Sequence, residues 1–438
     1  MDILAIAASL LLLVLLISRW HFNPFIAFLI TSIVAGVLLG VPMAEIPRSL
    51  EKGIGDMLGS IVVIVCIGAM FGKLIADSGA AQAISQWLMG CFGNKYLIWA
   101  LMLTGFVVGI PLFYNVGFVL LVPLVFSVAY QTRLSAVYLG IPLLAALSVT
   151  HGFLPPSPAP TALVAQFGAD IGKTLVYGLI IALPTSIIAG PLFASRLKNI
   201  TCSPLATFTP KVMPAEELPG KFNSFITSLL PVLLIAAASA LPAQQLTGST
   251  WGQAVLLITN PMVLMLLSLV IASYTLALAR GVSMQALMAT YASAIKDIAI
   301  ILLIIAGAGA LKQIFVDSGV SLQIAAYLEG VALNPLLLGW FVALVIRVCL
   351  GSATVAGLTA AGIVAPLVLA NPAINPDLMV LAIGAGSLMC SHVNDSGFWM
   401  YKEYFNLSLA DTFKSWTAME TIVGVAGLVG VLLLDLMV

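Results

Sequence analysis

Apolar residues in this chain fall in long uninterrupted blocks separated by short polar stretches. Ile3 to Ser18, Pro24 to Val41, Met57 to Ala76 and Thr174 to Ala194 are examples. Hydrocarbon about 30 Å thick is crossed by about 20 mostly apolar residues in a helix, and these blocks approach or reach that length. Five spans are predicted in each half of the chain. In the first half they cover 3–18, 24–41, 57–76, a broken one at 136–167, and 174–195; in the second, 223–242, 258–279, 297–316, a broken one at 378–405, and 416–437. Two further pairs of apolar segments are shorter. Tyr96–Leu112 and Val116–Tyr130 flank the tip Phe113-Tyr114-Asn115, and Pro335–Leu350 and Val355–Ala370 flank Gly351-Ser352-Ala353-Thr354. Such pairs are either re-entrant hairpins, which carry polar backbone to mid-membrane where it lines a cavity, or two tilted spans. Each pair returns to its starting side in both cases, so the sidedness of the rest is unaffected.

The blocks repeat. Asn23-Pro24 opening one run matches Asn260-Pro261, Asp77-Ser78-Gly79 closing another matches Asp317-Ser318-Gly319, Thr150-His151 matches Ser391-His392, and Asp56 matches Asp297. The four pairs keep the same order at offsets between 237 and 241. The halves are 1–200 and 223–438, joined by a polar linker at 201–222. An odd number of spans per half makes the repeats antiparallel, and inverted repeats are a signature of secondary transporters.

Composition agrees and narrows the class. Of 438 residues 61% are apolar and 8% charged, against about 25% charged in soluble domains. A soluble enzyme, a nucleic-acid binder and a disordered chain are excluded; the fold class is an all-α polytopic membrane protein. Seventeen basic residues balance seventeen acidic ones, so no polybasic surface is implied. With the linker in the cytoplasm, that side receives twelve Lys and Arg, including Arg196, Lys198, Lys211 and Lys221. The outer side keeps Arg48, Lys52, Lys173 and Lys312, and the positive-inside rule then puts both termini outside. The first helix lacks the charged n-region and cleavage pattern of a secretory signal and is expected to stay in the mature chain. Five scattered cysteines read as small hydrophobes, and three histidines are too few for a metal cluster.

The broken spans carry the most chemistry. After Val149 comes Thr150-His151-Gly152-Phe153-Leu154-Pro155-Pro156-Ser157-Pro158-Ala159-Pro160, and four prolines in six residues cannot continue a helix. The apolar run from Leu378 to Cys390 meets Ser391-His392-Val393-Asn394-Asp395-Ser396-Gly397 before resuming at Phe398. A matched pair of interrupted segments points to a substrate site at the bilayer midplane, where half-helix N-termini suit an anion. Extramembrane loops between short helices are the plainer reading of the same residues.

Charges at bilayer depth are expensive and functional by default. His151, His392, Asp395 and Arg347 are the candidates. Asp395 is read as a proton carrier or as the N-cap of the resumed helix; His151 and His392 as proton carriers, substrate ligands or caps of broken backbone. Arg347 matches a substrate carboxylate or a structural partner such as Asp395. A single fixed cation suits a monoanion with neutral hydroxyl groups. Tyr114, Asn115, Ser352, Thr354, Asn394 and Ser396 offer hydroxyls and amides to a polyol, or oxygens to Na⁺. No H-E-x-x-H, G-x-S-x-G or Walker loop is present, which argues against an enzyme.

At this point the residues become familiar. His151-Gly152-Phe153-Leu154-Pro155-Pro156, followed by Pro158-Ala159-Pro160-Thr161, resembles the signature of the gluconate permease family, the gluconate:H⁺ symporters. Ser391 to Trp399 is similar to that family's C-terminal motif, and the resemblance covers essentially the whole chain. It implies uptake of gluconate or a related sugar acid by proton symport in the plasma membrane, with no cofactor. It adds Ser157 and Thr161 to the substrate-site candidates and leaves Asp395 and His151 for proton coupling. The wider ion-transporter superfamily implies re-entrant hairpins, a homodimer and an elevator-like motion. In one place the chain departs from the pattern: Ser157 stands where a second histidine often follows the double proline. This shifts weight to His151 and Asp395, or marks a different substrate. The alternatives are a Na⁺-coupled transporter of another organic anion or D-serine, and, from another class, a passive channel or an intramembrane enzyme.

Overall fold

The computed structural model describes residues 2–110, 114–155, 157–202, 213–239, 250–320, 334–371 and 374–438. Among these the regular elements are all helical. In chain order they are α1 (Asp2–Ser18), α2 (Pro24–Leu38), α3 (Ile46–Asp77), α4 (Ala80–Gly109), α5 (Tyr114–Thr132), α6 (Ala136–Phe153) and α7 (Pro158–Phe167). Then come α8 (Ile171–Leu192), α9 (Lys221–Ser239), α10 (Thr250–Ile258), α11 (Pro261–Leu276), α12 (Met284–Asp317), α13 (Pro335–Leu350) and α14 (Ala353–Ala370). The last three are α15 (Pro376–Leu388), α16 (Ser396–Tyr404) and α17 (Leu409–Asp435). Both α8 and α17 contain a π-turn, at Ile188–Leu192 and Phe413–Thr417. Six described helices are long and apolar enough to cross a membrane, seven if the bent α3 counts as one span.

Helix starts follow local chemistry. Asn23, Asn260, Asn334 and Asn375 each accept backbone N–H bonds from the first turn, and each precedes a proline at the first helical position. Asparagine satisfies orphan donors there, and proline's missing N–H costs nothing at that position. The starts at Asn23 and Asn260 are one of the four matched sequence pairs. Gly79 and Gly319, from another pair, both have positive φ, at +81° and +69°, just after the long helices α3 and α12.

The chain divides into two compact units. One comprises Met1–Ser60, Ser148–Phe193 and Ile300–Val438; the other Ile61–Leu147 and Ala194–Ala299. In the first, α15 is the central helix, packed by α7, α8, α13, α14 and α17. Every residue of α15 from Asp377 to Leu388 is buried. Its glycines set the packing distance: a Cβ on Gly384 would stand 2.4 Å from the Gly152 carbonyl oxygen, and one on Gly386 would stand 2.2 Å from that of Trp340. Close backbone approach at small residues is how helices associate without a hydrophobic driving force between them. In the second unit α4 packs on α5 and α9, and α9 on α11.

Several boundaries differ from the sequence expectation. α3 begins at Ile46 and α12 at Met284, so the predicted spans 57–76 and 297–316 are the apolar parts of longer helices of 32 and 34 residues. Hydropathy marks the length in lipid, whereas a helix continues through polar residues such as Arg48 and Lys52 at no such cost. Val116–Tyr130 belongs to α5, whose 19 residues are long enough to span. Phe113, Pro156, most of the linker (203–212) and the end of the predicted span 223–242 lie outside the described residues.

Candidate functional site

The first break is shorter than the sequence suggested. α6 runs on to Phe153, so His151 lies in its last turn, and α7 already resumes at Pro158. The prolines forbid helix at and just before themselves but not three residues upstream, where Thr150 to Phe153 keep their N–H groups. Pro158 and Pro160 fall in the first turn of α7, where the N–H they lack has no helical partner. His151 Nδ1 lies 3.1 Å from the Ser157 hydroxyl across the break, and the Thr161 hydroxyl donates to the Ser157 carbonyl at 2.8 Å.

The second break is better knit. α15 ends at Leu388 and α16 starts at Ser396. Cys390 takes a positive φ of +50° in between. Asp395 caps α16, its Oδ1 accepting from the Gly397 N–H at 3.0 Å. Its Oδ2 accepts from the Arg347 guanidinium Nη2 and from the Ser391 hydroxyl. Ser391 is fixed from α17: the Trp416 indole donates to its hydroxyl at 2.7 Å and the Thr417 hydroxyl to its carbonyl at 2.6 Å. Trp399 holds the Val393 carbonyl at 2.7 Å. Asp395 thus caps a helix and pairs with Arg347 at once.

Arg347 reaches this point because α13 ends just after it. The last carbonyls of α13 have no partners within the helix. Asn394 Nδ2 donates to those of Val348 and Cys349 at 2.7 and 3.1 Å, and His392 Nε2 lies 3.1 Å from that of Val348. Gly351 ends the helix with φ +72°, and a Cβ there would stand 2.1 Å from the Asn394 carbonyl oxygen. No other residue type fits that approach. The broken strand of α15–α16 is therefore docked onto the end of α13 by backbone contacts.

Electrostatically the centre is sparse. Arg347 is 4% exposed and Asp395 8%. Both imidazoles lie close enough to feel the Arg347 and Asp395 charges. Removing two charges from water costs several kcal/mol per ion on an order-of-magnitude view, so the pair persists only with further hydrogen bonds. Asp395 has them, from Gly397 and Ser391. Arg347 does not: its Nε and Nη1 are buried without a hydrogen-bond partner among the described residues, as is Asn394 Oδ1.

Ser352 and Thr354 stand at the start of α14, right after Gly351. The Ser352 hydroxyl accepts from the Val355 N–H at 3.4 Å, and both residues are half-buried. Three helix starts thus belong to this region. That of α7 carries two prolines and that of α16 is already capped by a carboxylate. The start of α14 has neither, so its first-turn N–H groups and dipole suit an anion best. Ser396 is the half-buried first residue of α16. Tyr114 and Asn115 open α5 in the second compact unit, where the Tyr114 ring lies 6.0 Å from that of Phe118.

One residue of this region was not singled out in the sequence. Glu420, on α17, is 2% exposed, and the Ser148 hydroxyl on α6 donates to its Oε2 at 2.8 Å. The signal was available: Glu420 is the one charge in the apolar run from Trp416 to Leu434. No group of three or more metal-ligating side chains occurs among the described residues. A cavity of about 190 Å³ lies elsewhere in the same unit, between Gly53, Asp56 and Met57 of α3 and Gly309, Lys312 and Gln313 of α12. None of the predicted site residues lines it.

The GntP family permease model matches residues 1–437. The high-affinity gluconate transporter of Escherichia coli K12 is 46% identical over 439 residues, covering 100% of both chains. The gluconate permease of Bacillus subtilis 168 is 44% identical, again over 100% of both. The Gnt-II system L-idonate transporter of Escherichia coli K12 is 44% identical over 99% of each. These relatives are transporters and permeases, not enzymes, and a multi-pass membrane protein is what the apolar helices describe.

Proposed function

The chain belongs to the GntP permease family, and from that premise we propose that it imports gluconate or a related sugar acid across the plasma membrane by proton symport. The substrates in its relatives' names, gluconate and L-idonate, are both polyhydroxy monocarboxylates. That chemistry fits a site with one fixed cation and many neutral polar groups. The observation that carries the reading is Arg347, buried and half used: one nitrogen on Asp395, two others without hydrogen-bond partners among the described residues.

The substrate carboxylate binds at the open edge of the guanidinium, against the start of α14. Asn394, Ser352, Thr354 and Ser396 serve its hydroxyl groups, with His151, His392, Ser157 and Thr161 at the break edges. Asp395 is the rival anion. While ionised it holds Arg347; once protonated it releases charge that the substrate then uses, because a guanidinium pairs more strongly with a carboxylate than with a neutral acid. Proton and substrate therefore favour each other's binding, which is the thermodynamic requirement of symport. The fold that supports this is a pair of inverted repeats. Supporting it are the equivalent Asn-Pro helix starts, the equivalent Gly79 and Gly319 turns, and the two helix breaks at matched sequence positions.

Uptake of labelled gluconate into proteoliposomes tests the coupling. An inward proton gradient should drive accumulation above equilibrium, and a sodium gradient alone should not. Accumulation driven by imposed Na⁺ but not by ΔpH would refute proton symport and favour the sodium-coupled alternative.

A further inference from the structure

Glu420 is a buried charge-bearing group that the binding site above does not use. It is 2% exposed and sits about one turn into the apolar run of α17 that begins at Trp416. Its one hydrogen-bond partner among the described residues is a neutral hydroxyl, Ser148 at 2.8 Å. The charges that act on it are Arg347 and Asp395, which already hold each other. On the other elements packed against α17, Asp377 is engaged by the Asp170 N–H, Lys173 and Lys414 are exposed, and Tyr177 is half-buried. Among the described residues no Lys, Arg or His side chain hydrogen-bonds to Glu420 or forms an ion pair with it. An ionised carboxylate buried without a counter-charge is far costlier than the neutral acid, which a hydroxyl partner serves well.

The placement of this acid ties it to both breaks. α17 carries Trp416 and Thr417, which hold Ser391 in the second break, and one turn later Glu420. Ser148 lies three residues before His151, at the edge of the first break. Trp416 and Thr417 belong to a π-turn, a distortion that recurs at functional sites. Resting on the proton-coupled reading above, we propose that Glu420 is a second proton-binding site of the transport cycle. Its protonated form keeps α17 docked to α6, and its proton is carried with the substrate but not exchanged against it. Asp395 links proton binding to substrate affinity. Glu420 links it to movement of the loaded carrier.

The test uses the full-length protein in proteoliposomes, with the membrane potential clamped and labelled gluconate as the probe. Each coupled proton multiplies limiting accumulation about tenfold per unit of ΔpH. Glu420→Gln mimics the protonated acid, so accumulation relative to gluconate exchange should fall about tenfold at a one-unit gradient. An unchanged ratio overturns the proposal. If the wild type ignores ΔpH, proton symport itself fails; if only the Glu420→Gln ratio is unaffected, the assignment to Glu420 fails alone. Should Glu420→Gln not fold, infrared difference spectra of the wild type and Ser148→Ala decide. A carboxylic acid C=O band that titrates with pH and moves to higher frequency when the hydroxyl is removed is the expected result. A band that never titrates, or that ignores Ser148→Ala, overturns it.

Discussion

Arg347 is paired on one side and, among the described residues, buried without a hydrogen-bond partner on the other, and most of the proposed chemistry follows from that imbalance. Charge-assisted hydrogen bonds contribute about 1.5–3 kcal/mol each. Arg347→Gln should therefore raise KM for gluconate by about tenfold or more, read in transport assays at matched expression. An unchanged KM would take Arg347 out of the site. Gly351 is demanded by geometry rather than chemistry. Gly351→Ala puts a methyl 2.1 Å from the Asn394 carbonyl in a left-handed conformation that alone costs roughly 1–2 kcal/mol. The unfolding midpoint in detergent should fall measurably, and a wild-type midpoint would show that the contact relaxes freely. How much of this could be read from the sequence varied by residue. Arg347, Asp395, Asn394 and the two histidines stood out because polar groups in apolar runs are rare. Glu420 obeys the same rule and escaped because it lies in an otherwise ordinary span, away from any break. That Asp395 caps α16 and pairs with Arg347 at once was beyond the sequence, since it depends on where α13 ends in space.

Helices in this protein are cut by chemistry and placed by small residues. The breaks were legible because prolines and a polar septet interrupt apolar runs, but the first closed in by several residues at each edge and the second shifted two residues toward the N-terminus. Backbone hydrogen bonding continues as far as donors exist, and hydropathy does not report that. α3 and α12 outrun their apolar cores for the same reason. What no pattern revealed is that α15 is the hub of its unit, with Gly384 and Gly386 against neighbouring carbonyls. The start of α15 is also a junction: Asp377 accepts from the Asp170 N–H at 2.7 Å and from the Thr174 hydroxyl at 3.4 Å, tying α15 to the α7–α8 turn. Asp377→Ala leaves those donors unpaired at a cost of about 1–3 kcal/mol. Thermal stability should drop while gluconate affinity in the folded fraction is kept. A loss of affinity with unchanged stability would instead put Asp377 in the transport path.

In the first compact unit, two broken helices and the end of α13 bring a carboxylate, several neutral polar groups and a cation to one buried place, and the family relation supplies the kind of cargo. The account turns on one competition, between Asp395 and the substrate's acid group for Arg347. On the proposed coupling the sign follows: protonating Asp395 would free the guanidinium, so gluconate is expected to bind more tightly as pH falls and more weakly as pH rises. The direct measurement is the Kd of the purified protein for gluconate across pH, in the wild type and in Asp395→Asn. The account predicts a wild-type Kd that rises with pH, and in Asp395→Asn a tighter Kd that is flat with pH. A variant that binds more weakly than the wild type, or that keeps the full pH dependence, would contradict it.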